Sequence, residues 1–253
     1  MIGSPATWKG ERGAAFLPES LAGQMAVVTG ASSGVGRAVA RELAARGAAL
    51  CLIGRDRGKL EAGLGSAAPA LTYKVDLAIR SEIDAFALAF ERECGRADLL
   101  VHGAGVIAFG PVESAPIEDF DRQLDINLRA PYLLTQRLLP MLGKRPGQIV
   151  FINSSAGRRA VARSGQYSAS KHALCGIANA LREEVRSAGV RVINVFLGRT
   201  ATPMQAAVHA HEKRPYCPAK LMQPEHVAWL LANALSLPLT VEIPEIHMRS
   251  FAC

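Results

Sequence analysis

The 253-residue sequence lacks the two features that would direct it into or across a membrane. It contains no apolar run of the roughly 18 or more residues that a membrane-spanning helix needs. Residues 1–20 also lack the apolar core of a secretory signal. We therefore expect a cytoplasmic protein without a membrane partner, in which residues 1–20 form a loosely ordered extension.

Patterns that bind metals or form disulfides are absent as well. The five cysteines are scattered, with no CxxC pair and no histidine at ligand spacing. In a chain without a signal, this distribution favours reduced, buried thiols over disulfides or zinc. We therefore predict no metal site.

Clustered charge is the third absence. The formal net charge is +7, but the 29 lysines and arginines are spread along the chain. A nucleic-acid-binding protein would gather them in one tract or patch, so we predict no nucleic-acid partner. A small polyanionic ligand accounts for a modest positive excess equally well.

What the sequence does contain is a regular alternation of two patterns. Short, continuously apolar runs lie at residues 25–30, 48–54, 70–76, 97–105, 147–155, 190–198 and within 239–248. Helical patterns lie at residues 34–47, 79–94, 117–142, 166–188 and 224–235. Continuously apolar strands belong to a parallel sheet that is covered on both faces. The order predicts a single α/β domain over residues 21–253, a doubly wound parallel sheet (Rossmann fold) in three αβα layers.

The first strand-to-helix turn, "VVTGASSGVGRAVA", places Gly30, Gly34 and Gly36 at G-x3-G-x-G spacing. Glycine permits a tight turn and lets a pyrophosphate approach the backbone. The N–H groups and the positive end of the following helix would then hold the phosphate charge. A plain strand-to-helix turn is the alternative, but its position in the first βα unit favours a dinucleotide site.

The end of the second strand, "CLIGRDRGKL", indicates which dinucleotide binds. Enzymes that prefer NAD carry Asp or Glu about 20 residues after the glycine motif, where it binds the adenosine ribose. Here Gly54 occupies that place and Arg55 follows. A guanidinium suits a 2′-phosphate, and Arg57 and Lys59 add positive charge. We predict NADP(H) as the cofactor; a merely solvated Arg55 is the alternative.

A third pattern, "SGQYSASKHAL", places Tyr167 and Lys171 on a helical face that continues with Leu174 and Ala178. A phenol with a reference pKa of about 10 exchanges its proton slowly at neutral pH. A lysine one helical turn away favours the phenolate and is expected to lower that pKa. The structural alternative is a lysine that snorkels over an aromatic ring.

Taken together, "TGASSGVG" (29–36), "YSASK" (167–171) and a serine 13 residues before the tyrosine resemble the short-chain dehydrogenase/reductase family. The resemblance covers nearly the whole chain, and the ending "EIHMRS" is similar to the NADP-preferring carbonyl reductase branch. It implies the catalytic set Asn127, Ser154, Tyr167 and Lys171. It also implies cofactor contacts from Gly30, Ser32, Ser33, Gly34, Val35, Gly36, Arg55, Asp76, Leu77, Gly105, Tyr167, Lys171, Gly198, Thr200 and Thr202.

The same resemblance implies a role for each catalytic residue. Ser154 donates a hydrogen bond to the substrate oxygen, and Lys171 also binds the nicotinamide ribose. Asn127 bends its helix and holds a water that links Lys171 to solvent. Asp76 contacts the adenine ring, and Thr202 helps to hold the nicotinamide half.

Two positions depart from the family pattern. Gly103, in "HGAG", replaces an asparagine that mostly braces neighbouring strands, so its loss concerns stability more than chemistry. Leu197, in "FLGRT", replaces a proline, which loosens the turn that positions the nicotinamide.

These patterns predict an NADP(H)-dependent oxidoreductase that interconverts a ketone or aldehyde with an alcohol, with Tyr167 as general acid and base. A 3-oxoacyl carrier-protein reductase is an alternative, because Arg158, Arg159 and Arg163 hint at an acidic or carrier-linked substrate. A redox sensor that binds NADP(H) without turnover is the second alternative.

The connection at residues 199–223 is long and rich in His, Pro and Lys, which predicts a mobile substrate lid. His209 and His211 within it are expected to be solvated and not catalytic.

A stripe of small residues follows one side of the helix that carries Tyr167. Its members are Ala169, Ala173, Gly176 and Ala180. Packing within the subunit is one interpretation of this stripe. Because family members commonly pair this helix across a two-fold axis, the resemblance implies a homodimer or homotetramer.

Overall fold

The computed structural model describes residues 20–65, 70–142 and 146–251. Its strands are β1 (Met25–Thr29), β2 (Ala49–Gly54), β3 (Ala70–Lys74), β4 (Leu99–His102), β5 (Gln148–Ser154), β6 (Arg191–Leu197) and β7 (Glu245–Met248). Within the described residues they form one parallel sheet in the order β3-β2-β1-β4-β5-β6-β7. The predicted doubly wound parallel sheet is confirmed.

Helices connect the strands and cover both faces of the sheet. They are α1 (Gly34–Ala45), α2 (Arg57–Leu64), α3 (Arg80–Glu93), α4 (Ile117–Leu124), α5 (Ala130–Leu142), α6 (Gly165–Val185), α7 (Pro203–His211) and α8 (Pro224–Leu235). A π-helical turn, Asp125–Arg129, joins α4 to α5. Among the described helices, none combines the length and the apolar character that a membrane crossing requires.

Alternate residues of the central strands point to opposite faces of the sheet, and each face has its own helices. On one face, α1, α2 and α8 pack against residues such as Val28 and Leu52. On the other face, α3, α5 and α6 pack against residues such as Val27 and Ile53. Because both faces are buried, the strands are continuously apolar, and the three predicted layers are confirmed.

The structure differs from the sequence prediction in helix α2, which was not predicted. Asp56 caps this helix by accepting the Lys59 backbone N–H at 3.1 Å. Its eight residues, "RGKLEAGL", contain two glycines and no wide apolar stripe, so the sequence shows no helical periodicity there. The predicted N-terminal extension, apart from Ser20, lies outside the described residues.

The strand order places a switch point between β1 and β4. The chain leaves β1 toward β2 and β3 on one side of the sheet and later returns to β4 on the other side. In open α/β sheets, ligands bind in the crevice at the carboxyl ends of the strands at such a point.

Candidate active site

A cavity of about 420 Å³ opens at this switch point. Its lining comes from the residues that follow β1, β2, β3, β4, β5 and β6, together with residues of α6 and α7. The three motifs that are far apart in the sequence therefore meet around one space.

The glycine turn after β1 forms one wall of the cavity. Gly30 and Gly34 have φ angles of +70° and +54°, in the left-handed region that favours glycine. A Cβ atom on Gly30 would lie 2.7 Å from the Ala104 nitrogen, and one on Gly36 would lie 2.5 Å from the Gly30 oxygen. Gly30 thus permits contact with the turn after β4. Gly36 lets α1 begin against the β1 turn and lies outside the cavity lining.

The N-terminus of α1 is open toward an anion. Ser33 is the N-cap residue, but its side chain makes no capping hydrogen bond within the described structure. The first turn of the helix also contains no acidic side chain. Its N–H groups and the positive end of the helix dipole therefore remain available to a negatively charged group.

The three basic residues that follow β2 are in different surroundings. Arg57 pairs with Glu61 at 2.8 Å. Lys59 pairs with Asp56 at 3.7 Å. Arg55 is exposed, lines the cavity and has no ion-pair or hydrogen-bond partner among the described residues. Arg55 is therefore the cation of this group that is available to a ligand.

Two hydroxyl groups meet on the opposite wall. Ser154, at the end of β5, and Tyr167, in the first turn of α6, both line the cavity. The Ser154 Oγ accepts the Ala156 backbone N–H at 3.1 Å, which leaves its O–H to donate. Burial raises the pKa of Tyr167 above its ordinary value of 10.0, and a hydrogen bond with Ser154 acts in the opposite direction.

Lys171 is buried beneath the same wall. Its surroundings contradict two of the expectations drawn from the sequence. Its Nζ donates to the Ile152 carbonyl at 3.1 Å and lies 6.0 Å from the centre of the Tyr167 ring. Burial lowers the pKa of Lys171 to about 8. The snorkelling alternative is wrong, because Lys171 as a whole is only 4% exposed and its amine therefore does not reach solvent. The expected lowering of the Tyr167 pKa is also wrong for the protein alone, because burial of the phenol outweighs other effects.

Asn127 lies in the π-helical turn, fully buried and behind the cavity. Its Nδ2 donates to the Val106 carbonyl at 2.9 Å and to the Ser170 hydroxyl at 3.0 Å, and its Oδ1 accepts the Val106 N–H at 2.9 Å. Ser170 in turn donates to the Tyr167 carbonyl at 2.7 Å. Asn127 therefore ties the loop after β4 to the helix that carries Tyr167. The water relay implied by the resemblance stays a prediction.

Comparison with known proteins agrees with this geometry. A family model described as short chain dehydrogenase matches residues 24–213, which is most of the chain. The chain belongs to the short-chain dehydrogenase family.

The likeness to other members extends over nearly the whole chain. The uncharacterized short-chain type dehydrogenase/reductase y4eK of Sinorhizobium fredii is 35% identical over 231 residues, which cover 89% of this chain and 90% of the relative. A metagenomic short-chain oxidoreductase solved in complex with NADP has a TM-score of 0.77 at 33% identity, covering 90% and 98% of the two chains. An alcohol dehydrogenase from the archaeon Thermococcus sibiricus, complexed with 5-hydroxy-NADP, has a TM-score of 0.83 at 25% identity, covering 91% and 97%.

Most of the residues predicted from the family resemblance lie around the cavity. Those that line it are Gly30, Ser32, Ser33, Gly34, Val35, Arg55, Asp76, Leu77, Gly105, Ser154, Tyr167, Lys171, Gly198, Thr200 and Thr202. Gly36 and Asn127 do not line it. Among the described residues, no group of three or more His, Cys, Asp or Glu side chains is placed to hold a metal ion.

One positioning residue was not identified from the sequence. The Asn153 Oδ1 accepts the Ser154 N–H at 2.8 Å, and its Nδ2 donates to the Lys171 carbonyl at 3.2 Å. Asn153 therefore holds the end of β5, which carries Ser154, against α6, which carries Lys171. An amide directly before Ser154, at the end of the apolar run 149–152, is the signal that could have identified it.

The departure at Gly103 is explained by Thr29. The Thr29 Oγ1 accepts the N–H groups of Gly103 at 3.0 Å and of Ala104 at 3.1 Å. A Cβ atom on Gly103 would lie 2.7 Å from the Thr29 carbonyl oxygen. The threonine hydroxyl therefore braces the turn after β4, and the glycine permits the close approach that this requires.

The segment at residues 199–223, which is predicted to be a substrate lid, contains α7, and a bridge between Thr200 and Met222 joins its two ends. His209 is buried, with Nδ1 at 2.9 Å from the Gln205 carbonyl oxygen, so the expectation that it is solvated is wrong. His211 is exposed, as expected, and its ring stacks on Phe109 with the centroids 4.9 Å apart. Phe109 belongs to the loop after β4, so this contact joins α7 to that loop.

Proposed function

We propose that this protein is an NADP(H)-dependent oxidoreductase that interconverts a ketone or aldehyde with the corresponding alcohol. The observation that carries the proposal is the meeting of Ser154, Tyr167 and Lys171 with the glycine turn and Arg55 around one cavity. The two solved relatives that bind NADP or a modified NADP support the choice of cofactor.

The residues around the cavity fit a dinucleotide phosphate. The glycine turn lines the cavity and the N-terminus of α1 is open, so the turn's backbone and the first helical N–H groups can approach a pyrophosphate. Arg55, which has no acidic partner among the described residues, would hold the 2′-phosphate. Asp76 and Leu77 line the same part of the cavity and would contact the adenine.

The chain's own residues supply the proton, whereas the bound nicotinamide would supply the hydride. Because its pKa is raised, Tyr167 keeps its proton at neutral pH and donates it to the substrate oxygen as negative charge develops there. Ser154, whose Oγ accepts the Ala156 N–H and so keeps its O–H as a donor, would be the second donor to that oxygen. Lys171, with a pKa of about 8, exchanges its proton near neutral pH and returns one to Tyr167.

Reduction of a free carbonyl compound is better supported than reduction of a carrier-linked one. Arg158 forms an ion pair with Glu245, and its guanidinium lies 4.5 Å from the centre of the Phe196 ring. It is therefore held by the protein and is poorly placed to grip a carrier. Arg159 and Arg163 are exposed and remain the basis of that alternative.

The test is a panel of ketones and aldehydes, with oxidation of NADPH followed by absorbance and NADH as the comparison. We expect turnover with NADPH on at least one chemical class and weaker turnover with NADH. Tight NADPH binding without oxidation across the whole panel would instead support the sensor. A strong preference for acyl-carrier-linked ketones, lost in Arg159→Ala, would support the carrier-protein alternative.

We also propose that the protein is a homodimer or homotetramer that pairs through α6. Packing within the subunit does not cover the small-residue stripe, because Ala169, Ala173, Gly176 and Ala180 are all exposed in the described chain. A Cβ atom on Gly176 would have no neighbour within 4 Å among the described atoms. A monomeric mass in solution scattering at micromolar concentration would contradict this proposal.

A further inference from the structure

The two ends of the cavity are built by different strands. The switch point separates β2 and β3 on one side from β4, β5 and β6 on the other. Arg55 and Asp76, which are expected to contact the 2′-phosphate and the adenine, follow β2 and β3. Ser154 is the last residue of β5, and Tyr167 lies on the helix that follows it. The part of the cavity lined by residues after β4, β5 and β6, which we call the substrate end, therefore contains the reacting hydroxyls.

Large apolar side chains from three separate segments line the substrate end. They are Ile107 and Phe109 of the loop after β4, Val161 of the turn before α6, and Met204 and Val208 of α7. The Phe109 ring stacks on His211 of α7, with the ring centroids 4.9 Å apart. The Gly110 N–H donates to the Arg163 carbonyl at 2.9 Å, which ties the same loop to the turn before α6. The segments that supply this apolar wall are therefore held to one another, as in a preformed binding pocket.

The charged residues of the cavity leave no unpaired charge at the substrate end. Among the described residues, those that line the cavity are Arg55, Asp76, Lys171, Arg199 and Glu212. The first two lie at the other end, and Lys171 is buried with its Nζ bonded to a backbone carbonyl. The Arg199 Nη2 lies 2.7 Å from the Glu212 Oε1, so these two charges neutralise each other. The exposed Arg159 and Arg163 lie outside the cavity lining.

Neutral polar side chains at the substrate end are largely engaged by the protein itself. The Ser164 O–H donates to a backbone carbonyl at 2.9 Å, and the Thr200 O–H donates to another at 3.1 Å. The Gln205 Nε2 lies 3.1 Å from the His209 Nδ1 of the same helix. Ser155 keeps an exposed hydroxyl, which water can satisfy. A polar substituent of the substrate would therefore lose its hydration there and gain few hydrogen bonds in return.

We propose that the substrate is a ketone or aldehyde whose larger substituent is an uncharged alkyl or aryl group, bound against Phe109, Val161 and Met204. An apolar substituent leaves water and contacts these side chains, which is favourable. This inference rests on the proposed function and names its substrate class as apolar carbonyl compounds. Keto acids, sugars and other strongly polar carbonyl compounds are poor substrates on this account.

The test compares methyl ketones that differ in one terminal group of nearly constant shape, with NADPH as the reductant. The aliphatic pair is 6-methylheptan-2-one and 5-oxohexanoate, and the aryl set is 4′-isopropylacetophenone, 4-acetylbenzamide and 4-acetylbenzoate. In at least one of the two series, we expect the isopropyl compound to have a kcat/KM about tenfold higher or more than its polar counterparts. In the aryl set the polar groups activate the carbonyl more than isopropyl does, so the electronic effect opposes this preference.

Val161→Lys tests whether this wall meets the substrate. The side chain is 62% exposed, so a lysine can be accommodated while its ammonium group borders the substrate end. The ratio of kcat/KM for isopropyl over carboxylate should fall about threefold or more, because the carboxylate gains a cation and the isopropyl group loses an apolar contact. The matched control is Val241→Lys, which adds the same charge at an exposed valine outside the cavity lining and should keep the wild-type ratio.

Turnover with equal kcat/KM values in both series, or with higher values for the polar members, would overturn the inference and leave the proposed function in place. A ratio unchanged in Val161→Lys would also overturn it. If the wild type reduces none of these ketones, the proposed function fails. Binding of the same compounds to the NADP-loaded protein, measured by saturation-transfer NMR, then decides the inference by itself. Tighter binding of the isopropyl compounds that weakens in Val161→Lys but not in Val241→Lys supports it, and equal binding overturns it.

Discussion

Replacing Arg55 with alanine should weaken NADPH binding and leave NADH binding almost unchanged. The two cofactors differ in the 2′-phosphate, and Arg55 lines the cavity without an acidic partner among the described residues. A hydrogen bond to a charged group contributes about 1.5–3 kcal/mol. Because Arg55 is exposed, solvent screening puts the expected loss near the lower limit, about 1.5 kcal/mol, or roughly tenfold in Kd.

The assay is a fluorescence titration of the purified protein with NADPH and with NADH, at low and at high salt. The NADPH preference should narrow as salt rises, because exposed charges are screened. Arg57→Ala is the matched control, since Arg57 is paired with Glu61 and does not line the cavity. Equal losses for the two cofactors in Arg55→Ala, or a comparable NADPH loss in Arg57→Ala, would refute the assignment.

Three further predictions concern stability and positioning. Burial lowers the pKa of His102 from 6.5 to about 3, so the free energy of unfolding should fall by up to about 1.4 kcal/mol per pH unit below about pH 6.5. Urea unfolding of His102→Gln at several pH values should show a flatter dependence, and an unchanged slope would contradict this. Gly103→Asn restores the family residue, but its Cβ would collide with the Thr29 carbonyl oxygen. We therefore expect the free energy of unfolding to fall by about 1–3 kcal/mol in the same urea assay. A variant more stable than the wild type would contradict this packing. Asn153→Ala should lower kcat on the order of 10–100-fold and leave NADPH affinity unchanged, because the Ser154 N–H loses its hydrogen bond to the Asn153 side chain. An unchanged kcat would rule out that positioning role.

The sheet and most helices were predictable because burial leaves a direct trace in the sequence. Strands covered on both faces must be continuously apolar, and long helices need an apolar stripe. Helix α2 left no such trace, because its eight residues include two glycines and it is held by the Asp56 cap. A local N-cap therefore stabilises a helix that hydrophobic periodicity does not reveal.

The candidate site was predictable where the chemistry requires a residue type at a fixed spacing. Tyr167, Lys171 and the glycine turn are of this kind, and the structure places them around one cavity. The support behind them was not predictable, because it depends on contacts between distant segments. Asn153 belongs to this second group.

The central claim is that Tyr167 gives its proton to a substrate carbonyl, and Tyr167→Phe tests it most directly. The substitution removes only the hydroxyl group from a side chain that is otherwise buried. With a carbonyl substrate identified in the panel, we expect kcat to fall about 100- to 10,000-fold, as for loss of a general acid. The Kd for NADPH should remain near the wild-type value. A Tyr167→Phe protein that reduces the substrate at the wild-type rate would contradict the account.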